Sequence, residues 1–228
     1  MIGFAFAMDK EANPFLEGCR LLETKKSGYA KLVKAEYAGK EILVIVSGIG
    51  KGFACAAIAA AKCLYPELEA VINLGVCGSQ NKAQADIFSC VIGSHFVEHD
   101  LDTTAIGDPK AMVSGINLVE LPSEKKLNEG LAKACAEAGI PSTEAVVSSG
   151  DVFIVDKEAK HKITEEFGSL CLDMESAPFA QIAYAYHLPF AVARIVSDAE
   201  HPDIEYAKYS DEAAVKAASV GHKFLEII

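Results

Sequence analysis

Ala70-Val71-Ile72-Asn73-Leu74 is an apolar run too short for a helix, and it leads straight into Gly75-Val76-Cys77-Gly78. A short apolar run bounded by turn signals reads as a buried strand, and the glycine pair reads as the turn at its end. Upstream, Ser47-Gly48-Ile49-Gly50-Lys51-Gly52 opens an alanine-rich segment of helical spacing that Pro66 terminates. Ile2 to Met8 is another apolar strand, followed by Asp9-Lys10-Glu11 and a short helix closed at Gly18, with Arg20 at its end. Tyr29 to Tyr37 and Glu41 to Ser47 are β-rich runs joined across Ala38-Gly39-Lys40, a hairpin signal that makes the sheet mixed.

The alternation continues downstream. Strands are expected around Ile87 to His99, then a polar loop to Pro122, a helix from near Ser123 closed by Gly139, and a strand from Ala145 to Ser148. A helix over Lys157 to Phe167, a strand to Leu172, a helix to Tyr186, the strand Phe190 to Val196 and an amphipathic helix from Asp211 complete the chain. This pattern predicts an α/β protein of three αβα layers around a central mixed β-sheet. No Pro/Ser/Gly tract or charge block marks a boundary, so residues 1–228 are read as a single domain.

Composition narrows the partners. A hydrophobic fraction of 51% with 23% charged residues is that of an ordinary globular chain. Thirty-two acidic residues against 21 basic ones give a net charge of -11, which opposes binding to nucleic acid or an anionic membrane surface. The longest small-apolar stretch, Phe53 to Ala61, is far below the ~20 residues of a membrane span. Met1-Ile2-Gly3-Phe4 carries no basic leader, and the expected address is the cytoplasm. Seven cysteines without a Cys-x-x-Cys pair read as reduced buried thiols.

Two motif matches fail on context. Gly48 to Gly52 lacks the glycine of a dinucleotide fingerprint at Phe53 and the hydroxyl of a Walker loop at Gly52, so it reads as a tight strand-to-helix turn. His95-Phe96-Val97-Glu98-His99 matches an inverted zincin motif. In a strand, however, the two imidazoles stand about 13 Å apart, and no metal site is expected. The informative pieces lie at strand ends, where open α/β sheets bind ligands. Asp173-Met174-Glu175 opens a helix, and Arg194 sits inside the apolar run Phe190 to Val196, where a buried guanidinium requires an anionic partner such as Asp173 or Glu175.

Taken together, Ala7 to Glu11, Ser47 to Lys51, Asn73 to Gly78, His99 to Thr103, Ser149-Gly150-Asp151-Val152-Phe153-Ile154, Asp173 to Glu175 and Arg194-Ile195-Val196-Ser197-Asp198 resemble one family in order and spacing. It is the bacterial 5'-methylthioadenosine/S-adenosylhomocysteine nucleosidases, within the purine nucleoside phosphorylase superfamily. The resemblance implies a cofactor-free homodimer that hydrolyses the N-glycosidic bond of a small adenine nucleoside. It makes Asp198 the acid that protonates adenine N7 and Glu11 the carboxylate that holds the attacking water. Glu175 and Met174 contact ribose, Arg194 orders the carboxylates, Asp173 included, and Ser197 orients Asp198. Phe153 stacks on the base while the Ile154 backbone reads its edge, and Ile49, Val76, Cys77 and Gly78 complete the pocket. Thr103 and Ile106 are the segment lent to the partner's 5' pocket.

The chain departs from the family at Val76, where a small hydroxyl residue is usual, at Ser79, where a second glycine is common, and at Asp173, where Glu is frequent. A 6-amino-6-deoxyfutalosine hydrolase would use the same base and ribose machinery with another 5' group. A purine nucleoside phosphorylase would need arginines around a phosphate dianion, and the chain has only Arg20 and Arg194. A non-catalytic nucleoside binder is the remaining alternative.

Overall fold

A computed structural model describes residues 1–228. In chain order the elements are β1 (Ile2–Phe6), α1 (Asp9–Leu16), β2 (Arg20–Ser27), β3 (Ala30–Tyr37), β4 (Lys40–Val46), α2 (Lys51–Leu64), β5 (Ala70–Ser79), β6 (Cys90–Glu98), β7 (Leu121–Pro122), α3 (Lys125–Glu137), β8 (Ser142–Ser149), α4 (Lys157–Phe167), β9 (Ser169–Asp173), α5 (Ser176–Ala185), β10 (Phe190–Asp198) and α6 (Pro202–Ile227). A short 3₁₀ turn, Thr104–Ile106, lies between β6 and β7.

The strands form one mixed sheet. β1 runs parallel to both β4 and β5, and β5 runs parallel to β10. The path β10-β6-β8-β9 then curls back, because β9 pairs with the far end of β5 at Gly78 and Ser79. Each face carries its own core. On one side α2 and α5 bury Ala54, Ala57, Ile58, Phe179 and Ala183 against the sheet. On the other, α1, α3 and α6 bury Ala12, Phe15, Leu131, Ala134, Ala217 and Phe224. The three-layer αβα arrangement follows from strands apolar on both faces, which must be covered twice. No helix is long and apolar enough to cross a membrane.

Four local expectations are corrected. Arg20 does not end a helix but starts β2, an exposed edge strand whose Arg20 to Ser27 shows no apolar alternation. Only one strand, β6, occupies the stretch from Ile87 to His99. The last helix begins at Pro202, nine residues before Asp211, with the proline in its first turn, where its missing N–H costs nothing. Most tellingly, Gly75 and Gly78 do not turn the chain: β5 runs through both to Ser79. They are glycines of close approach. A Cβ on Gly75 would collide with Arg194 Nη1 and meet Glu11 Oε1 at 2.7 Å, and one on Gly78 would meet Asp198 Oδ2 at 2.7 Å.

Candidate active site

The carboxyl ends of β1, β5, β9 and β10 open into a cleft of about 290 Å³. Glu11, Ile49, Val76, Cys77, Gly78, Phe153, Asp173, Met174, Glu175, Arg194, Ser197 and Asp198 all line it. This is the strand-end location at which open α/β sheets take ligands.

Glu11 is the third residue of α1 and folds back over the helix start. Its Oε2 accepts from the backbone N–H groups of Ala7 and Met8, each at 3.1 Å, and its Oε1 from Val76 N–H at 3.1 Å. A carboxylate has about four acceptor positions, so the three bonds leave one free on a side chain that lines the cleft. Burial pushes the Glu11 carboxyl above its usual range, with the nearby Arg194 guanidinium opposing that shift.

Arg194 is held by Asp173 at 2.8 Å and Glu175 at 3.4 Å, and it donates to Val76 O at 3.3 Å and Ser176 Oγ at 3.2 Å. Asp173 Oδ1 also accepts from the backbone N–H groups of Glu175 at 3.3 Å and Ser176 at 3.2 Å, at the start of α5, whose N-cap position is Glu175 itself. Glu175 Oε1 accepts from Gly50 N–H at 3.0 Å, and Asp151 Oδ1 accepts from Lys51 N–H at 2.8 Å. The start of α2 is thereby occupied by the protein's own carboxylates. It is not laid out to cradle a phosphate.

Burial raises the Glu175 carboxyl to about 7, with Arg194 pulling against it and Asp173 adding to it. Between about 4.5 and 7 the unfolded chain releases this proton before the folded one does, so the group's contribution is fully present below 4.5 and is lost as pH rises through 7. The expected result is a steeper fall in unfolding free energy across that window in the wild type than in Glu175→Gln, read by urea titration at a series of pH values.

Asp198 ends β10 opposite Gly78. Its Oδ1 accepts from Ser197 Oγ at 2.8 Å, and Lys160 Nζ stands 3.7 Å from Oδ2. Burial pushes the Asp198 carboxyl up, against the pull of the Ser197 hydroxyl and the Lys160 ammonium.

Phe153 is half-exposed at the cleft mouth, and its ring meets Tyr206 edge-on at 5.4 Å between centroids. Ile154 lies just outside the main cleft, in a smaller adjoining cavity with His99 and Lys160. Thr103 and Ile106 stand away from the cleft of their own chain, Ile106 being 80% exposed. His95 is on β6 and His99 directly follows it, and no three His, Cys, Asp or Glu side chains are grouped to hold a metal.

Residue reasoning missed Leu172, Tyr206 and Lys160. Tyr206 precedes Asp211, where the sequence pattern starts the last helix, and Lys160 lies in a charged run that reads as a solvated helix face. Gly75→Ala tests the packing directly. The added methyl has no room between Arg194 and Glu11, so the expected cost is about 1–3 kcal/mol, measured as a lower unfolding midpoint.

Fold and cleft define a small-molecule site at the strand ends of an αβα sandwich, lined by an arginine neutralised by acids and by a further buried acid, Asp198, beside Lys160. The chain belongs to the phosphorylase superfamily, whose family model matches residues 1–226. It is 28% identical to the 5'-methylthioadenosine/S-adenosylhomocysteine nucleosidase of Bacillus thuringiensis (strain Al Hakam), with 96% of each chain covered. Among solved structures it is similar to the nucleosidase of the same name from Neisseria meningitidis, in complex with methylthio-immucillin-A. That likeness has a TM-score of 0.94 and 27% identity, covering 100% of this chain and 99% of the other. It is also similar to the futalosine hydrolase of Helicobacter pylori strain 26695, at a TM-score of 0.92 and 27% identity, covering 100% of this chain and 97% of that one.

Proposed function

We propose that this chain hydrolyses the N-glycosidic bond of adenine nucleosides of the 5'-methylthioadenosine and S-adenosylhomocysteine type, releasing adenine. One observation carries the choice of water over phosphate. A buried carboxylate, Glu11, lines the cleft, and both arginines are already paired, Arg194 with Asp173 and Glu175 and Arg20 with Glu36 on an exposed strand. A phosphate dianion would meet a negative charge and find no free guanidinium fork.

In this reading each residue of the cleft has a role. Phe153 and the apolar lining hold the base, and Asp198, whose carboxyl burial pushes up, donates to N7 as the bond to the sugar breaks. The departing base leaves an oxocarbenium-like sugar, which a weak nucleophile captures if it is already in position. Glu11 uses its remaining lone pair to hold that water, and its raised pKa fits it to take the water's proton. Glu175 accepts from the ribose hydroxyls, Met174 packs beside them, and Arg194 fixes the carboxylates. No cofactor enters these steps.

In this reading the chain is a cytoplasmic homodimer working in methionine salvage, and the segment of Thr103 and the exposed Ile106 reaches into the partner's 5' pocket. The likeness to a futalosine hydrolase favours a second reading in which the 5' substituent is futalosine-like and the base and ribose contacts are unchanged. Adenine release from 5'-methylthioadenosine, S-adenosylhomocysteine and 6-amino-6-deoxyfutalosine by the purified protein tests both. Turnover of the first two is expected, turnover of the third alone selects the second reading, and turnover of none rejects hydrolysis.

A further inference from the structure

We propose that Lys160 is a positioning residue that supplies Asp198 with the proton Asp198 passes to the leaving base, an inference that rests on the nucleosidase reading. Lys160 lies on α4, within a run of charged residues, yet its side chain is only 8% exposed and points into a cavity of about 30 Å³ between that helix and the strand ends. Fully buried lysines are rare unless paired. Here Nζ stands 3.7 Å from Asp198 Oδ2 and has no hydrogen-bond partner.

The other groups facing it do not serve as that partner. Glu205, from α6, spends one oxygen on the backbone N–H groups of Ala199, Glu200 and His201. Cys77, from β5, is a thiol, and Asp173, across the cavity, is engaged by Arg194. His99, which shares the cavity, is pushed toward its neutral form by burial.

Burial acts on the pair from both sides, lowering the Lys160 ammonium and raising the Asp198 carboxyl. Both shifts narrow the gap between the two acidities, and Asp198 Oδ2 is the carboxylate oxygen that faces Nζ, at 3.7 Å. In the step proposed, an N–H bond of the ammonium breaks as Oδ2–H forms, leaving a neutral pair. The Oδ2–H bond then breaks as N7–H forms, while the electrons of the C1'–N9 bond go to the base. Lys160 recovers its proton from solvent, and the proton of the attacking water leaves through Glu11.

The test uses Lys160→Met and Lys160→Arg with two substrates. One is 5'-methylthioadenosine. The other is the 4-nitrophenyl riboside with the same 5' group, whose leaving group departs as a stable anion without protonation. Both variants are expected to lose at least about tenfold in kcat on the adenine nucleoside with little change in KM, and less than about twofold on the nitrophenyl riboside. Arginine should not rescue, because a guanidinium does not release its proton in a protein. If Lys160 acted only by its charge, its removal would raise the Asp198 pKa and the adenine rate would hold or rise. That result, rescue by arginine, or equal loss on both substrates would overturn the proposal. Absence of adenine release by the wild type would instead sink the nucleosidase reading itself.

Discussion

Turnover of 5'-methylthioadenosine falls by about 10²–10⁴-fold in Asp198→Asn, the range usual for losing a positioned general acid, while the fold is retained. The amide keeps the size of the carboxyl and can still accept from Ser197 Oγ, which lies 2.8 Å from Oδ1 in the wild type. What it lacks is an acidic proton for N7. Adenine departs poorly as an anion, so the loss should appear in kcat more than in KM. The nitrophenyl riboside, which needs no proton, should react at close to the wild-type rate. An adenine rate within a few-fold of wild type in Asp198→Asn would mean that another group protonates the base.

Glu11→Gln is expected to lose a similar factor, about 10²–10⁴-fold, for a different reason. The carboxylate accepts three backbone N–H bonds through its two oxygens. Glutamine has one oxygen for the Ala7 and Met8 donors and must then face the Val76 N–H with its own amide N–H₂. That mismatch costs about 1–3 kcal/mol, so a lower unfolding midpoint should accompany the lost hydrolysis. Binding of an adenine nucleoside should persist, since the base contacts lie at the other end of the cleft. Phosphate should not rescue the variant, because removing the repelling charge adds no arginine. Single-turnover adenine release with and without phosphate, beside ligand affinity, reads all three effects.

How far these residues could be found from sequence depended on what each one does physically. Arg194 was legible because a charge within an apolar run has to be neutralised, and Asp173 and Glu175 were the acids at the end of the preceding unit. The three-layer fold was legible because β1, β5 and β10 are apolar on both faces. β2 was not, since an exposed edge strand has no reason to alternate. Gly75 and Gly78 look like turn residues in one dimension. Their function is to admit Arg194, Glu11 and Asp198 to the surface of a continuing strand, which appears only once distant segments are assembled. Lys160 was hidden for a related reason: nothing local distinguishes it from the solvated Lys157 and Lys162, and only the packing of α4 on β8 and β9, beside Asp198 at the end of β10, buries it.

The choice of nucleophile is the center of this account, and it is decided by the sugar product. The wild-type protein is incubated with 5'-methylthioadenosine in phosphate-free buffer and in phosphate buffer, and the sugar is identified by phosphorus and proton NMR. The arrangement of Glu11, Arg194, Asp173 and Glu175 predicts the same rate of adenine release in both buffers, with free 5-methylthioribose as the only sugar formed. A requirement for phosphate, with 5-methylthioribose 1-phosphate as product, would contradict it.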